Sequence, residues 1–129
     1  MKTIRKCLIF GDSISTANFS GGGYEVLLPK ILPVQRIINY AENAAALTCG
    51  YPYSVCETIL THPCEEDTDL IILWAGTNDW YYGVPTGEYD SHSRTCFCGA
   101  LRTAVLSLCK AYPQAVILLL TPLFRLSEY

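Results

Sequence analysis

The chain has 129 residues, of which nine are basic and twelve acidic, so its formal net charge is −3. Half of the residues are hydrophobic and 16% are charged, which excludes a disordered chain and favours one globular domain over residues 1–129. There is no basic excess to bind nucleic acid, and no apolar run approaches the roughly 20 residues that span a bilayer. We therefore expect a cytoplasmic domain with neither nucleic-acid nor membrane partners.

Apolar runs, helical repeats and turn residues predict an alternation of strands and helices. In chain order, the predicted elements are the strand Ile4–Phe10, the helix Tyr24–Ile31, the strand Val34–Tyr40, the loop Ala41–Pro52, the helix Tyr53–Thr61, the strand Asp69–Trp74, the loop Gly76–Asp90, the helix Phe97–Tyr112 and the strand Ala115–Thr121. Pro29 should kink or shorten the first helix. This order predicts a parallel α/β sheet with right-handed crossovers.

The last predicted strand does not fit a closed sheet. Ala115–Thr121 is too apolar for an exposed edge, and Leu123–Tyr129 is too short for another crossover, which needs roughly 30 residues. We therefore expect a domain that is incomplete at its C-terminus and that self-associates through the Ala115–Thr121 edge.

The seven cysteines do not predict disulfides or a metal site. Their number is odd, no Cys-x-x-Cys occurs, and no export signal precedes them. Cys56, His62 and Cys64 lack the usual paired spacing of zinc ligands. We expect reduced thiols that pack as small hydrophobic side chains, with no metal and no cofactor.

Three motifs follow three predicted strands: Gly11-Asp12-Ser13-Ile14, Asn39–Ala45 and Gly76-Thr77-Asn78-Asp79. Because parallel strands end at the same edge of a sheet, these loops should meet in one crevice, at the point where strand order reverses. A serine, an amide side chain and free backbone N–H donors are the parts of an acyl-transfer site.

With this order and spacing, the motifs resemble those of the SGNH, or GDSL-type, hydrolases. These are serine esterases and acylhydrolases with a flavodoxin-like, three-layer parallel sheet. The resemblance covers essentially the whole chain and implies that Ser13 is the nucleophile for a small-molecule ester. Asn78 and the backbone N–H groups of Ser13 and Ala44 would form the oxyanion hole, with Ala44 at a position where the family normally has glycine. The supporting residues would be Gly11, Asp12, Gly76 and Asp79, with both aspartates ordering loops rather than acting as acids.

The family's Asp-x-x-His block, which supplies the general base, is not found in this sequence. The two histidines are His62, predicted to lie at a helix end on another part of the surface, and His92, in a loop whose spacing is not the family's. We therefore predict little or no esterase activity for this chain, with His92 as the remaining candidate base.

Two other functions stay open. One is a binding-only pseudoenzyme that keeps the crevice, and the other is a nucleotide or phosphate binder that uses the loop from Ser13 to Gly23.

Two segments each allow both a functional and a purely structural interpretation. Gly21–Gly23 could be a flexible rim or a plain loop into the helix, and Trp80–Tyr82 could be an apolar wall for substrate or part of the core.

Overall fold

The computed structural model describes residues 1–18 and 21–123. Its strands are β1 (Ile4–Gly11), β2 (Val34–Asn39), β3 (Thr68–Trp74) and β4 (Val116–Leu120). Its α-helices are α1 (Leu28–Ile31), α2 (Val55–Thr61), α3 (Thr77–Tyr81) and α4 (Phe97–Ala111), and a 3-10 helix spans Tyr24–Val26. The strands form one parallel sheet in the order β2-β1-β3-β4, which is the order of the flavodoxin-like fold and confirms the predicted class.

Both faces of the central strands are buried, which explains why their sequences are nearly continuous apolar runs. In β1, Leu8 and Phe10 point into the larger core beneath α2 and α4. Cys7 and Ile9 point into the smaller core on the other face, together with Leu28 of α1. The strand order reverses between β1 and β3, so the carboxyl ends of these two strands mark the expected position of a ligand crevice.

Local signals set the ends of the short helices. The Ser54 side chain accepts a hydrogen bond from the backbone N–H of Glu57 at 3.2 Å, so α2 begins at Val55, two residues later than predicted. The predicted first helix is split into the 3-10 helix and a single turn of α1, with Pro29 in the first turn of α1. Pro29 therefore shortens the helix, as expected.

The prediction of an uninterrupted loop from Gly76 to Asp90 is wrong, because Thr77–Tyr81 forms α3. Five residues are too few to show a helical repeat in the sequence. Isolated helices of this length are also unstable in water, so α3 depends on tertiary contacts. Those contacts are made with the loop that follows β2, and they build the candidate site.

β4 lies at the edge of the sheet, and within residues 1–18 and 21–123 it pairs only with β3. Val116, Leu118 and Leu119 expose about half or more of their side-chain surface there. Self-association through this edge stays a prediction. Most of the predicted tail, Leu123–Tyr129, lies outside the described residues. In the part of the chain that the structure describes, no helix has both the length and the apolar character needed to cross a membrane.

Candidate active site

The first motif forms a tight turn at the carboxyl end of β1. Asp12 is buried, and its carboxylate accepts a hydrogen bond from the backbone N–H of Ile14 at 2.9 Å. A side chain at Gly11 would lie 2.6 Å from the carbonyl oxygen of Trp74 and 2.7 Å from Ser15 Oγ, so only glycine fits between β1 and β3. The turn leaves Ser13 half-buried at the edge of the sheet.

Two hydrogen bonds tie the loop after β2 to this turn, and a third orders the start of the loop itself. Asn39 Nδ2 donates to the carbonyl of Ser15 at 2.7 Å, and Asn39 Oδ1 accepts from the backbone N–H of Ala41 at 2.9 Å. The backbone N–H of Glu42 donates to the carbonyl of Gly11 at 3.1 Å. Asn39 is therefore a positioning residue, a role that the sequence analysis missed. The position of Asn39 at the carboxyl end of a predicted strand is the sequence feature that could have indicated this role.

Three side chains of the α3 segment hold the other end of the same loop. Asn78 Nδ2 donates to the carbonyl of Ala45 at 2.9 Å, and the Tyr82 hydroxyl donates to the carbonyl of Ala44 at 3.0 Å. Asp79 accepts three hydrogen bonds, all from Leu47 and Thr48: their backbone N–H groups lie 2.6 and 3.0 Å from its oxygens, and the Thr48 hydroxyl lies at 2.9 Å. The loop is thus fixed between β1 and α3.

Ala44 lies in this loop with a φ of 62°, in the left-handed region that favours glycine. Its backbone N–H has no acceptor among the residues that the structure describes, and the same is true of the backbone N–H of Ser13. Asn78 Nδ2 has two hydrogens, of which the bond to Ala45 uses one. Unpaired donors therefore remain on all three loops at the carboxyl edge of the sheet.

Asp12 and Asp79 are the buried charges of the site, with 2% of each residue exposed. Burial raises the pKa of Asp12 above its ordinary value, the hydrogen bond from Ile14 opposes that shift, and the nearby Asp79 charge adds to it. The Asp12 carboxylate accepts a hydrogen bond from its own turn, and the Asp79 carboxylate accepts hydrogen bonds from the loop that follows β2. This arrangement fits side chains that order loops.

Within the described residues, neither histidine forms a hydrogen bond with Ser13. His62 ends α2, but it is half-buried in an aromatic cluster rather than on the surface. Its Nδ1 pairs with the carbonyl of Ile59 and its Nε2 with the Tyr112 hydroxyl, both at 2.6 Å. His92 lies exposed in the loop between α3 and α4, and within the described ranges its side chain has no hydrogen-bond partner. The Ser13 hydroxyl likewise has none in that part of the chain.

The two ambiguous segments take different positions. Gly23 caps the 3-10 helix with a φ of 66°, which fits a loop into that helix. Trp80 and Tyr81 are more than half exposed, which excludes a core position. Tyr82 stacks on Tyr51 at 5.0 Å between ring centroids, so part of this segment supports the loop that carries Ala44.

No protein-family model and no curated protein sequence matches the chain. Solved structures do match it. One from Lactobacillus plantarum has a TM-score of 0.80 at 25% identity, over 92% of this chain and 56% of that one. A possible lipase from Chitinophaga pinensis has a TM-score of 0.72 at 26% identity, over 88% of this chain and 47% of that one. A protein from Bacteroides ovatus described as a GDSL-like lipase has a TM-score of 0.74 at 18% identity, over 98% and 76%. The fold is that of the GDSL-like lipases.

The resemblance to GDSL-type hydrolases that the motifs indicated is thereby confirmed at the level of the fold. This chain spans about half the length of the first of these structures, from Lactobacillus plantarum. The GDSL-type fold places the turn of Ser13, the loop of Ala44 and the helix of Asn78 at one edge of the sheet.

Proposed function

We propose that the site belongs to a serine-dependent hydrolase of small carboxylic esters, with Ser13 as the nucleophile. The observation that carries this proposal is that three donors at the same edge of the sheet as the Ser13 hydroxyl have no acceptor among the described residues: the backbone N–H groups of Ser13 and Ala44, and one hydrogen of Asn78 Nδ2. Donors held in place before the reaction, and aimed where negative charge develops, are the main source of stabilisation in acyl transfer.

In the proposed reaction, Ser13 Oγ attacks the carbonyl carbon of the ester, and the carbonyl oxygen takes the negative charge. The three donors stabilise that oxyanion, and the tetrahedral intermediate then collapses with loss of the alcohol. Water hydrolyses the resulting acyl-serine to the carboxylic acid and restores Ser13. A base must accept the hydroxyl proton in the first step and return it to the leaving alcohol.

We further propose that these 129 residues alone hydrolyse esters slowly. His62 is engaged through both ring nitrogens, and His92 lies in an exposed loop. An unactivated serine is a weak nucleophile at neutral pH, and loss of the histidine in a serine protease lowers turnover by about a millionfold. The remaining rate would come from the oxyanion donors and from binding.

Hydrolysis of p-nitrophenyl acetate, with and without added imidazole, tests both parts. Free imidazole can replace a missing base, so we expect it to accelerate the wild-type chain well above the Ser13→Ala variant. The matched control is Ser107→Ala, which should behave as wild type, because Ser107 lies in α4 and its side chain has no hydrogen bond to any residue that the structure describes. Equal rates for wild type and Ser13→Ala under all conditions would contradict the proposed nucleophile.

His92→Ala identifies the base. We expect this variant to keep the wild-type rate, because His92 is exposed and has no hydrogen bond to Ser13 within the described residues. A fall to the rate of Ser13→Ala, without imidazole, would make His92 the base and would contradict the proposed slow turnover.

A binding-only pseudoenzyme is the second candidate. The observation in its favour is that Ser13 Oγ has no hydrogen-bond partner in the described part of the chain, whereas the oxyanion donors are held firmly. Binding of a carboxylate or ester without serine-dependent turnover, even with imidazole, would favour it over the hydrolase.

A further inference from the structure

Two cysteine side chains are neighbours where the loop that follows β2 meets α2. The two backbone segments run side by side there: Ala46 and Ser54 form a parallel bridge, and the backbone N–H of Cys56 donates to the carbonyl of Leu47 at 3.1 Å. Cys49 packs against the larger core, of which Cys56 is a fully buried member. The side chains of Cys49 and Cys56 form a hydrogen bond with each other. The fold therefore brings these two sulfur atoms together.

The two thiols differ in their surroundings. Cys49 is half-buried, and the Ser54 hydroxyl donates to its sulfur at 3.9 Å. Cys56 is fully buried, and that burial is the main reason why its pKa is raised to about 12; the nearby Cys49 adds to the shift, and the Arg94 charge opposes it. An oxidant dissolved in water therefore reaches the Cys49 sulfur first, with the Cys56 thiol waiting behind it.

The remaining cysteines do not form such a pair. Cys64 and Cys109 are exposed, and the sulfur of Cys96 is hydrogen-bonded to Ser91 and Ser93. A disulfide needs two sulfurs that already lie close together on backbones that can stay where they are. Among the residues that the structure describes, Cys49 and Cys56 are the two cysteines whose side chains are hydrogen-bonded to each other.

We propose that Cys49 and Cys56 are a redox-active dithiol, which a peroxide oxidises to an intramolecular disulfide that ties the loop to α2. In the first step, the Cys49 thiolate attacks one oxygen of hydrogen peroxide and breaks the O–O bond. Cys49 becomes a sulfenic acid, and the leaving hydroxide takes up the thiol proton to form water. In the second step, the Cys56 sulfur attacks the Cys49 sulfur, and the hydroxyl leaves with the Cys56 proton as a second water. The two sulfurs thus supply the two electrons that reduce the peroxide.

The disulfide would add a covalent tie to a loop that α3 already holds. Cys49 directly follows Leu47 and Thr48, whose backbone N–H groups bond Asp79. A bond from Cys49 to Cys56 restricts the unfolded chain, which lowers its entropy. The oxidised chain should therefore unfold at a higher temperature than the reduced chain. This proposal does not depend on the proposed function, since it involves neither Ser13 nor an ester.

Oxidation of the native wild-type chain with one equivalent of hydrogen peroxide tests the pair. The chain is then unfolded, its free thiols are alkylated, and chymotrypsin cleaves it after Tyr53, so that only a disulfide can hold the Cys49 and Cys56 peptides together. We expect mass spectrometry to find this linked pair, in a chain lighter by two hydrogen atoms, and dithiothreitol to reverse the change. If Cys64 and Cys109 are oxidised while Cys49 and Cys56 both remain open to alkylation, the proposal is wrong.

Two variants separate the steps. In Cys56→Ser the sulfenic acid at Cys49 has no thiol beside it, so dimedone should trap severalfold more of it than in wild type. In Cys49→Ser no disulfide should form at Cys56. The matched control is Cys109→Ser, at an exposed position of α4, which should form the disulfide as wild type does. A disulfide at Cys56 in Cys49→Ser, or its loss in Cys109→Ser, would overturn the pairing. Circular dichroism identifies a variant that fails to fold, in which case the wild-type digest decides.

The thermal midpoint tests the tie between the loop and α2. We expect peroxide to raise the midpoint of the wild-type chain by a few degrees and to leave that of Cys49→Ser unchanged. A lower midpoint in the oxidised wild-type chain would show that the packed loop does not accommodate the bond, and it would contradict the proposed tie.

Discussion

Asp79→Asn should destabilise the chain strongly although it keeps the number of heavy atoms in the side chain. Leu47 and Thr48, whose backbone N–H groups bond the two carboxylate oxygens, are at most 1% exposed. The amide keeps one acceptor oxygen and turns its NH₂ toward the other N–H. One hydrogen bond to a charged group, worth about 1.5–3 kcal/mol, is lost, and one buried donor is left unpaired at a cost of about 1–3 kcal/mol. We expect the free energy of unfolding to fall by about 3–5 kcal/mol.

Urea unfolding at pH 7, followed by circular dichroism, measures this change. With a slope of about 2 kcal/mol per molar urea, the midpoint should move down by about 2 M. Asp90→Asn is the matched control, because Asp90 is exposed and its carboxylate has no hydrogen-bond partner within the described residues, so its midpoint should stay the same. If Asp79→Asn lowers the free energy of unfolding by less than about 1 kcal/mol, Asp79 does not hold the loop to α3.

Three further predictions follow from single residues. Ala44→Gly should stabilise the chain by about 0.5–1 kcal/mol in urea unfolding, because relief of the left-handed backbone exceeds the added entropy of the unfolded chain. Hydrogen bonds from Arg5 lower the pKa of Asp69 below its ordinary value of 3.8. The ionised carboxylate therefore contributes its full stabilisation to the folded chain above that pH, and the contribution is lost as the pH falls. The difference in unfolding free energy between wild type and Asp69→Asn should shrink from pH 6 to pH 2. Burial raises the pKa of Cys7 to about 11, so iodoacetamide at pH 8 should label the exposed Cys64 in the native chain well before Cys7, as read by peptide mass spectrometry.

Each of these has a control or a contrary outcome. Ala17→Gly, at an exposed position with an ordinary φ, should destabilise slightly, and an equal effect in Ala44→Gly would show that its backbone is not strained. A pH-independent difference for Asp69→Asn would mean that Arg5 does not perturb the carboxyl group. Labelling of Cys7 as fast as Cys64 would show that β1 opens readily.

Much of the fold could be predicted because its signals are local. The apolar runs of β1 and β3 predict strands buried on both faces, and the helix predicted for Tyr53–Thr61 ends at the residue where α2 ends. Two residues of the candidate site, Ser13 and Asn78, could also be proposed from the sequence, since each follows such a strand.

Other parts of the site could not be predicted, because they depend on contacts between distant residues. The five residues of α3 are too few to show a helical hydrophobic repeat. Hydrogen bonds of Asn78 and Asp79 hold this helix to a loop that lies some 33 residues earlier in the chain. The role of Tyr82, which bonds the carbonyl of Ala44, has no sequence signature either.

The sequence by itself determined the α/β class, the order of the elements and the three motifs at the ends of strands. These follow from hydrophobic periodicity and from turn residues, which act over a few positions. Only the tertiary structure decided that Ala44 takes a left-handed backbone conformation and that His62 is bonded to Tyr112. The physical reason is that a buried polar group takes whichever partner the packed strands and helices bring to it, and that partner is usually distant in sequence.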